Sequence, residues 1–538
     1  MLNPDLDENS SSSPRWLIPA AIAACLVYLG AELFLVGGLG FPLDDSWIHL
    51  QFARNLAAGS GLSYNPGELV TGSTAPLWTA LLSLLFLLPG SILAWTKLLG
   101  IAFHAAGVAV TWRLARELGL GRGLAGLAAV LTLTTSWLVW SALSGMEVPL
   151  FIFLSLWGIL LHIRERERPG SPPLSAAVLA VASLARPEGL LLLVLALVDR
   201  VLLFERDGED GPLIWRRPPL RPLLTGIVLA ALALIGPLLA YRWAGGSFLP
   251  TTFGAKGGDL RRLIPDLGYV HTVIGVYFRS QPFLALLAGA GIVTLIARLG
   301  SKRDKGLLPA LWVVGLPLAY SLMAPGPTRL MGNFGRYYFP LLPVVIVLGA
   351  LGLEPAARAL RRRPLGALLA GLILATALWG FAQGAVRYAR NVANVEDSDV
   401  KIARWLAERV PPQAVLAVND IGAIKFLLPN RVVDLAGIAN PEIRDEVSRI
   451  MEETGLPWQQ AMAEAIARRR PDYVVVFPKW LRGLDSDPRF VPVHRLEIPD
   501  NITMGGDEIV VYKLIPSPLS PALSPVPGER ESEGEPPG

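Results

Sequence analysis

The sequence predicts an α-helical polytopic membrane protein of about eleven crossings, followed by a small C-terminal α/β domain. Three observations predict it. Hydrophobic residues make up 52% of the 538-residue chain and charged residues only 17%, against about 25% charged residues in a soluble globular chain. The missing charge is concentrated in apolar runs of roughly 17–25 residues, the length that crosses a bilayer core of about 30 Å as a helix. Lipid offers backbone polar groups no partners, so runs of this kind must be helical. Short basic clusters separate the runs, which is how orientation signals look. The net charge of +4 is small and gives no reason to expect nucleic acid as a partner. Cys25 is the single cysteine, so no disulfide forms within the chain.

The elements follow in order. Residues 1–15 are polar and Ser-rich, which predicts a disordered cytoplasmic N-terminus. The first apolar run, 16–38, has no convincing cleavage site after it and reads as an uncleaved helix. Further apolar segments fall at 75–90, 93–115, 122–142, 147–164, 172–186, 188–205, 221–244, 281–299, 306–324, 336–354 and 364–386. Basic clusters at Arg113–Arg122, Arg164–Arg168, Arg206–Arg221, Arg298–Lys305 and Arg358–Arg363 alternate with them. Placing each cluster inside puts loop 41–74, the regions around Glu147 and Arg186, residues 245–280 and 325–336, and everything after about 387 outside. An odd number of crossings must then separate loop 41–74 from Arg113. The short 75–90 segment, ending in Pro89-Gly90, is expected to be a partial or tilted insertion. The membrane domain is thus 16–390. Residues 391–515 form the extracytoplasmic α/β domain, with an amphipathic helix at 398–409 and strands at 415–418, 473–477 and 509–514. The tail 516–538 is rich in Pro, Ser and Glu and is expected to be disordered.

Loop 41–74 opens with Asp44 and Asp45 at the exit of the first helix. Trp47, Ile48, Phe52 and Leu56 give the next stretch an apolar side. Two adjacent carboxylates raise each other's cost of ionising, which suits a base with a partner that orients it or holds a cation. Alternatively, Asp44 caps a helix and Asp45 is a solvated neighbour. His49, four residues after Asp45, could share a helix face with it as a metal pair, although no third ligand is evident. His104 reads as a packed helix histidine, and Asp420 and Asp434 as turn residues.

A resemblance arises from these residues. Asp44-Asp45, Ala53-Arg54-Asn55, Gly61-Leu62, Tyr64-Asn65-Pro66-Gly67-Glu68 and Ser73-Thr74-Ala75-Pro76-Leu77-Trp78 resemble the first external loop of GT-C-fold glycosyltransferases. These are polytopic enzymes that take sugars from polyprenyl phosphates. Ser144-Gly145-Met146-Glu147-Val148-Pro149-Leu150, Ala185-Arg186-Pro187-Glu188-Gly189-Leu190, Leu249-Pro250-Thr251-Thr252-Phe253 with Lys256, and Arg336-Tyr337-Tyr338 before Pro340 follow in family order. Asn419-Asp420-Ile421-Gly422-Ala423 and Val433-Asp434-Leu435-Ala436-Gly437 extend the match into the external domain. It is nearest the branch of bacterial cell-wall arabinan transferases, and more distant from protein mannosyltransferases and the lipid A aminoarabinose transferase. Trp47 stands where the family often has Tyr, Met146 where Leu is common, and Thr251 where Asn is common.

The resemblance implies a glycosyltransferase at the outer face of a bacterial-type cytoplasmic membrane. It would move one sugar from a polyprenyl-phosphate donor to a hydroxyl of a glycan, lipid or protein acceptor, with inversion. It implies Asp44 as the base with Asp45 beside it, and Glu147 orienting the acceptor or a cation. Arg186, Lys256 and Arg336 are implied for the phosphate, with Glu188 and Tyr337 in the same substrate site. A divalent metal is the one cofactor left open, with Asp45 and His49 its candidates. Each residue has a plainer reading. Glu147 caps its helix, Arg186 pairs with Glu188 at the Pro187 bend, and Lys256 and Arg336 anchor at headgroups by snorkelling. The rival from another class is a transporter or flippase of lipid-linked sugars. That would show charges near helix centres or paired broken helices in two related halves; here the charges gather at one face.

Overall fold

In the computed structural model, residues 13–168, 171–206, 211–245, 265–266, 268–323, 332–360 and 364–515 are described. The disorder expected of 1–12 and of 516–538 lies outside these residues, as do Lys256 and 249–253.

Ten helices and a hairpin lead through the first half of the membrane domain. They are α1 (Leu17–Val36), α2 (Asp45–Ala57), α3 (Pro76–Leu85), α4 (Ile92–Glu117), α5 (Arg122–Thr134), α6 (Ser136–Leu143), α7 (Val148–Glu167), α8 (Leu174–Ala185), α9 (Glu188–Val201) and α10 (Leu220–Gly245). The antiparallel pair β1 (Leu203–Arg206) and β2 (Leu213–Arg216) stands between α9 and α10. Helices Gly268–Ser280, Pro282–Ala297, Leu308–Met323, Leu342–Leu360 and Pro364–Val395 complete the domain. Among the described residues six helices are long and apolar enough to cross a membrane, or up to eight if each of two bent pairs is one span. Three shorter apolar helices accompany them, among them α3. At about 1.5 Å per residue, the ten residues of α3 reach roughly 15 Å, half of a bilayer core. A single straight crossing needs about twice that length.

Two bends place the site. The residue before a proline is driven out of the helical region, so α8 stops at Ala185 and Arg186 is extended at φ −151°, ψ 138°. The helix restarts with Glu188 in its first turn, where a negative charge suits the helix dipole. At the second bend Gly145 holds φ 77°, and a Cβ there would come within 2.7 Å of the Phe41 ring. Only glycine lets these two loops cross so closely.

The C-terminal domain is a five-stranded sheet of order β4-β3-β5-β7-β6, from β3 (Leu416–Val418), β4 (Val432–Asp434), β5 (Tyr473–Val476), β6 (Phe490–Glu497) and β7 (Glu508–Leu514). Strands β3, β4 and β5 are parallel; β7 and β6 add antiparallel partners. One face packs helices Glu442–Thr454 and Trp458–Arg469 through Ile443, Val447 and Ile466. The other packs the helix Lys401–Arg409 and, from the membrane domain, Ile48 and Phe52 of α2. Loop 41–74 therefore shares a core with the C-terminal domain. Polar bonds fix the register: Asn65 exchanges bonds of 2.9 and 3.0 Å with the Val432 backbone, and Tyr64 donates to the Ile421 carbonyl at 2.8 Å.

Candidate active site

Asp44 precedes α2 without capping it. Its carboxylate instead accepts from the backbone N–H groups of Gly422 (2.6 Å) and Ala423 (2.7 Å), which open the helix Gly422–Leu427 of the C-terminal domain. The expected cap of the adjoining helix is therefore absent, and the amides that Asp44 does hold lie 378 residues away. Gly422 is required, since a Cβ there would sit 2.7 Å from the Asp44 carboxylate. Burial pushes Asp44 up to about 7; the two amides lower it, and Asp45 and Asp434 raise it. Burial and the neighbouring Asp44 and Asp45 push Asp420 well above the usual carboxylate range. Asp420 is thus a neighbour of the acid pair and not only a turn residue. Asp434 does serve its turn, accepting from the amides of Ala436, Ile438 and Ala439.

Asp45 is about a third exposed and accepts from Arg336 Nη2 at 2.5 Å. Arg336 is otherwise buried, and its Nε and Nη1 meet no hydrogen-bond partner among the described residues. A buried guanidinium with two open donors is costly, and the two are suited to a bidentate oxyanion.

Glu147 does not cap α7. It binds Arg186 Nη1 at 2.6 Å and approaches His49 Nε2 at 3.3 Å. Burial raises Glu147, but the His49 bond and the Arg186 charge outweigh it and hold the carboxylate well below its usual range. Glu147 is therefore ionised, which favours an orienting role over proton transfer. Arg186 also binds Glu188 at 2.6 Å, so the pairing at the Pro187 bend is real and shares its guanidinium with Glu147. Tyr320 donates to Glu188 at 2.5 Å. The Tyr337 ring lies under both cations, 5.2 Å from Arg186 and 5.6 Å from Arg336. His49 thus faces Glu147, and no three His, Cys, Asp or Glu side chains are grouped to hold a metal among the described residues. The sequence candidates Asp44, Asp45, His49, Glu147, Arg186, Glu188, Arg336 and Tyr337 form one constellation.

The loops beneath are clamped from below. Ser46 Oγ donates to Ser144 O at 2.5 Å and Trp78 Nε1 to Gly145 O at 2.9 Å. Under them Lys97 Nζ binds Glu32 (3.0 Å), Tyr388 OH (2.6 Å) and the Leu143 carbonyl (3.1 Å), while Glu32 also accepts from the Gly40 amide at 2.8 Å. This network was absent from the sequence candidates, yet a signal exists. Glu32 stands inside the first apolar run and Lys97 inside the third, and charges within such runs are expensive unless paired.

Residues 385–512 match a domain of unknown function (DUF8728), which spans the end of the last long helix and the C-terminal sheet. The apo crystal structure of ArnT from Cupriavidus metallidurans superposes with a TM-score of 0.59 over 94% of this chain and 99% of that one, at 16% identity. The chain has the GT-C fold. The same ArnT bound to undecaprenyl phosphate gives 0.58 over the same shares, at 14% identity. A curated relative, the terminal β-(1→2)-arabinofuranosyltransferase of Corynebacterium glutamicum, is 29% identical over 379 residues, 65% of this chain. The chain spans about half, 53%, of that relative's length.

Proposed function

We propose that the protein is a glycosyltransferase that moves a sugar from a polyprenyl-phosphate donor to an acceptor hydroxyl at the outer face of a bacterial-type cytoplasmic membrane. The observation that carries this reading is the pairing, in one constellation, of an acid pair with a half-open buried guanidinium. Asp44 and Asp45 stand beside Arg336, whose two free donors await an oxyanion. The named relative transfers a sugar and the structural neighbour holds a polyprenyl phosphate, and both fit.

The two acids divide the work. A carboxylate paired with a guanidinium is a weakened base, so Asp45 orients Arg336. Asp44, raised to about 7, is matched to proton abstraction near neutral pH. It takes the acceptor's hydroxyl proton as the oxygen bonds to the anomeric carbon. The bond from that carbon to the phosphate oxygen breaks, and its electron pair leaves on the lipid phosphate. Arg336 stabilises the charge that develops there, and a single displacement inverts the anomeric centre. Glu147, ionised and fixed by Arg186, accepts from acceptor hydroxyls. Lys256 is a second phosphate cation in this scheme.

The test is transfer by the purified protein from a radiolabelled polyprenyl-phosphate sugar. Asp44→Asn keeps the shape but takes no proton, so turnover should fall by ~100-fold or more with donor binding retained. A double Asp44→Asn, Asp45→Asn variant that transferred at the normal rate would remove the acid pair from the mechanism.

A further inference from the structure

The C-terminal domain carries a second hollow, away from the acid pair. In parallel α/β sheets, ligands gather beyond the carboxyl ends of the strands. Here that edge bears Asn419 and Asp420 after β3, Leu435 and Ala436 after β4, and Phe477 to Trp480 after β5. Asp420 lies by the catalytic pair. On the opposite face of the sheet, Leu435, Ala436, Arg444, Trp458, Met462 and Trp480 enclose about 310 Å³, within the usual range for small-molecule sites.

Its walls are unlike a finished core. Trp458 and Trp480 meet edge to face at 5.2 Å, yet both remain partly exposed. The Arg444 side chain lies over Gly437, where an added Cβ would come within 2.8 Å of Nε. Its guanidinium makes no hydrogen bond or ion pair among the described residues, although its helix neighbours Glu442 and Glu446 both bind Arg469. Indole faces offer a flat apolar surface with a polar N–H at one edge, and a free guanidinium offers a fork of donors for vicinal oxygens. A ring with an apolar C–H face and hydroxyl edges satisfies both.

We propose that this hollow is a saccharide-binding subsite and that the acceptor is a glycan, its inner sugars held on Trp458 and Trp480 while its end reaches the acid pair. The loop after β4 runs from the hollow to loop 41–74, the loop that carries the acid pair. Leu435 and Ala436 line the hollow, and two residues on, the Ile438 carbonyl lies 2.7 Å from where a Cβ on Gly72 would be. The assignment of the bound sugar as acceptor rests on the glycosyltransferase reading; the site itself does not.

The test measures binding without donor. Full-length protein in detergent micelles is titrated with arabino-oligosaccharides and with oligosaccharides cut from the producing cell's envelope polysaccharide. Saturation-transfer NMR reads the bound sugar, because 15 tryptophans would blur a fluorescence signal. Saturable binding is expected, weakened at least ~10-fold by Trp458→Ala and by Arg444→Gln. Arg444→Gln, at a partly exposed position, carries the test should Trp458→Ala misfold. No saturable binding of either probe, or binding unmoved by Arg444→Gln, would overturn the site. Binding that depends on Arg444, in a protein that transfers no sugar, would keep the site and remove the transferase reading.

Discussion

Two buried networks of charge lie one above the other, and they are built differently. Lys97 has three donors and three acceptors, in Glu32, Tyr388 and the Leu143 carbonyl. Glu32 is itself filled by Lys97, Tyr388 and the Gly40 amide. Arg336, by contrast, spends one nitrogen on Asp45 and leaves two unmet among the described residues. Complete satisfaction removes the cost of burial and makes a network architectural. Incomplete satisfaction keeps that cost in reserve until something binds.

The largest effect should come from breaking the closed network. Lys97→Met leaves Glu32 buried without its cation, which typically costs about 3–5 kcal/mol. The thermal midpoint of the micelle-held protein should drop sharply. Replacing Glu32 with Gln and Lys97 with Met together should recover most of the loss. A double variant as unstable as the single one would mean that the pair does more than cancel charge.

Breaking the open network should leave the fold alone and cost affinity. Arg336→Gln removes charge-assisted bonds worth about 1.5–3 kcal/mol, or roughly 10- to 100-fold in the dissociation constant of a polyprenyl phosphate. Arg336→Lys should recover only part, since a point charge replaces a fork. Isothermal titration with the lipid phosphate checks both, and equal affinity in the Gln variant would return Arg336 to a purely structural pairing with Asp45.

The smallest effect is a shift along the pH axis. Asp44 acts deprotonated, and its folded pKa of about 7 lies above the ordinary 3.8. Transfer efficiency should therefore rise with pH and level off above about 7, not above 4. Repeating the profile with Asp45→Asn removes one repelling neighbour, so the limb should move toward lower pH. A limb near 4 in the parent protein would point to a base other than Asp44.

Much of this was legible in the sequence because it is local. The apolar runs gave the helices, Pro187 gave the bend at Arg186, and short apolar stretches rich in Val gave β3, β5 and β7. The site charges were legible as a group because the basic clusters predict that their loops share a side, and the structure brings those side chains together. What stayed hidden is long-range or short in extent. β4 has only three residues, and Pro492 and a register shift interrupt β6. Nothing near Asp44 announces that its partners are the amides of Gly422 and Ala423. Nor did the Pro187 bend reveal that Arg186 also holds Glu147, since that bond spans 39 residues. Tyr64 and Asn65 stood out as motif residues, but they dock the C-terminal domain and touch no charged group of the site.

The bond between Asp44 and the helix Gly422–Leu427 also has a meaning in time. Asp44 is made early and emerges beside the first helix. The amides that hold its carboxylate are made 378 residues later, and they reach it only when the C-terminal domain has folded. A half-made chain would leave Asp44 unheld and, without the burial that raises it, closer to an ordinary carboxylate. The arrangement around Asp44 is thus completed by a domain made long after it.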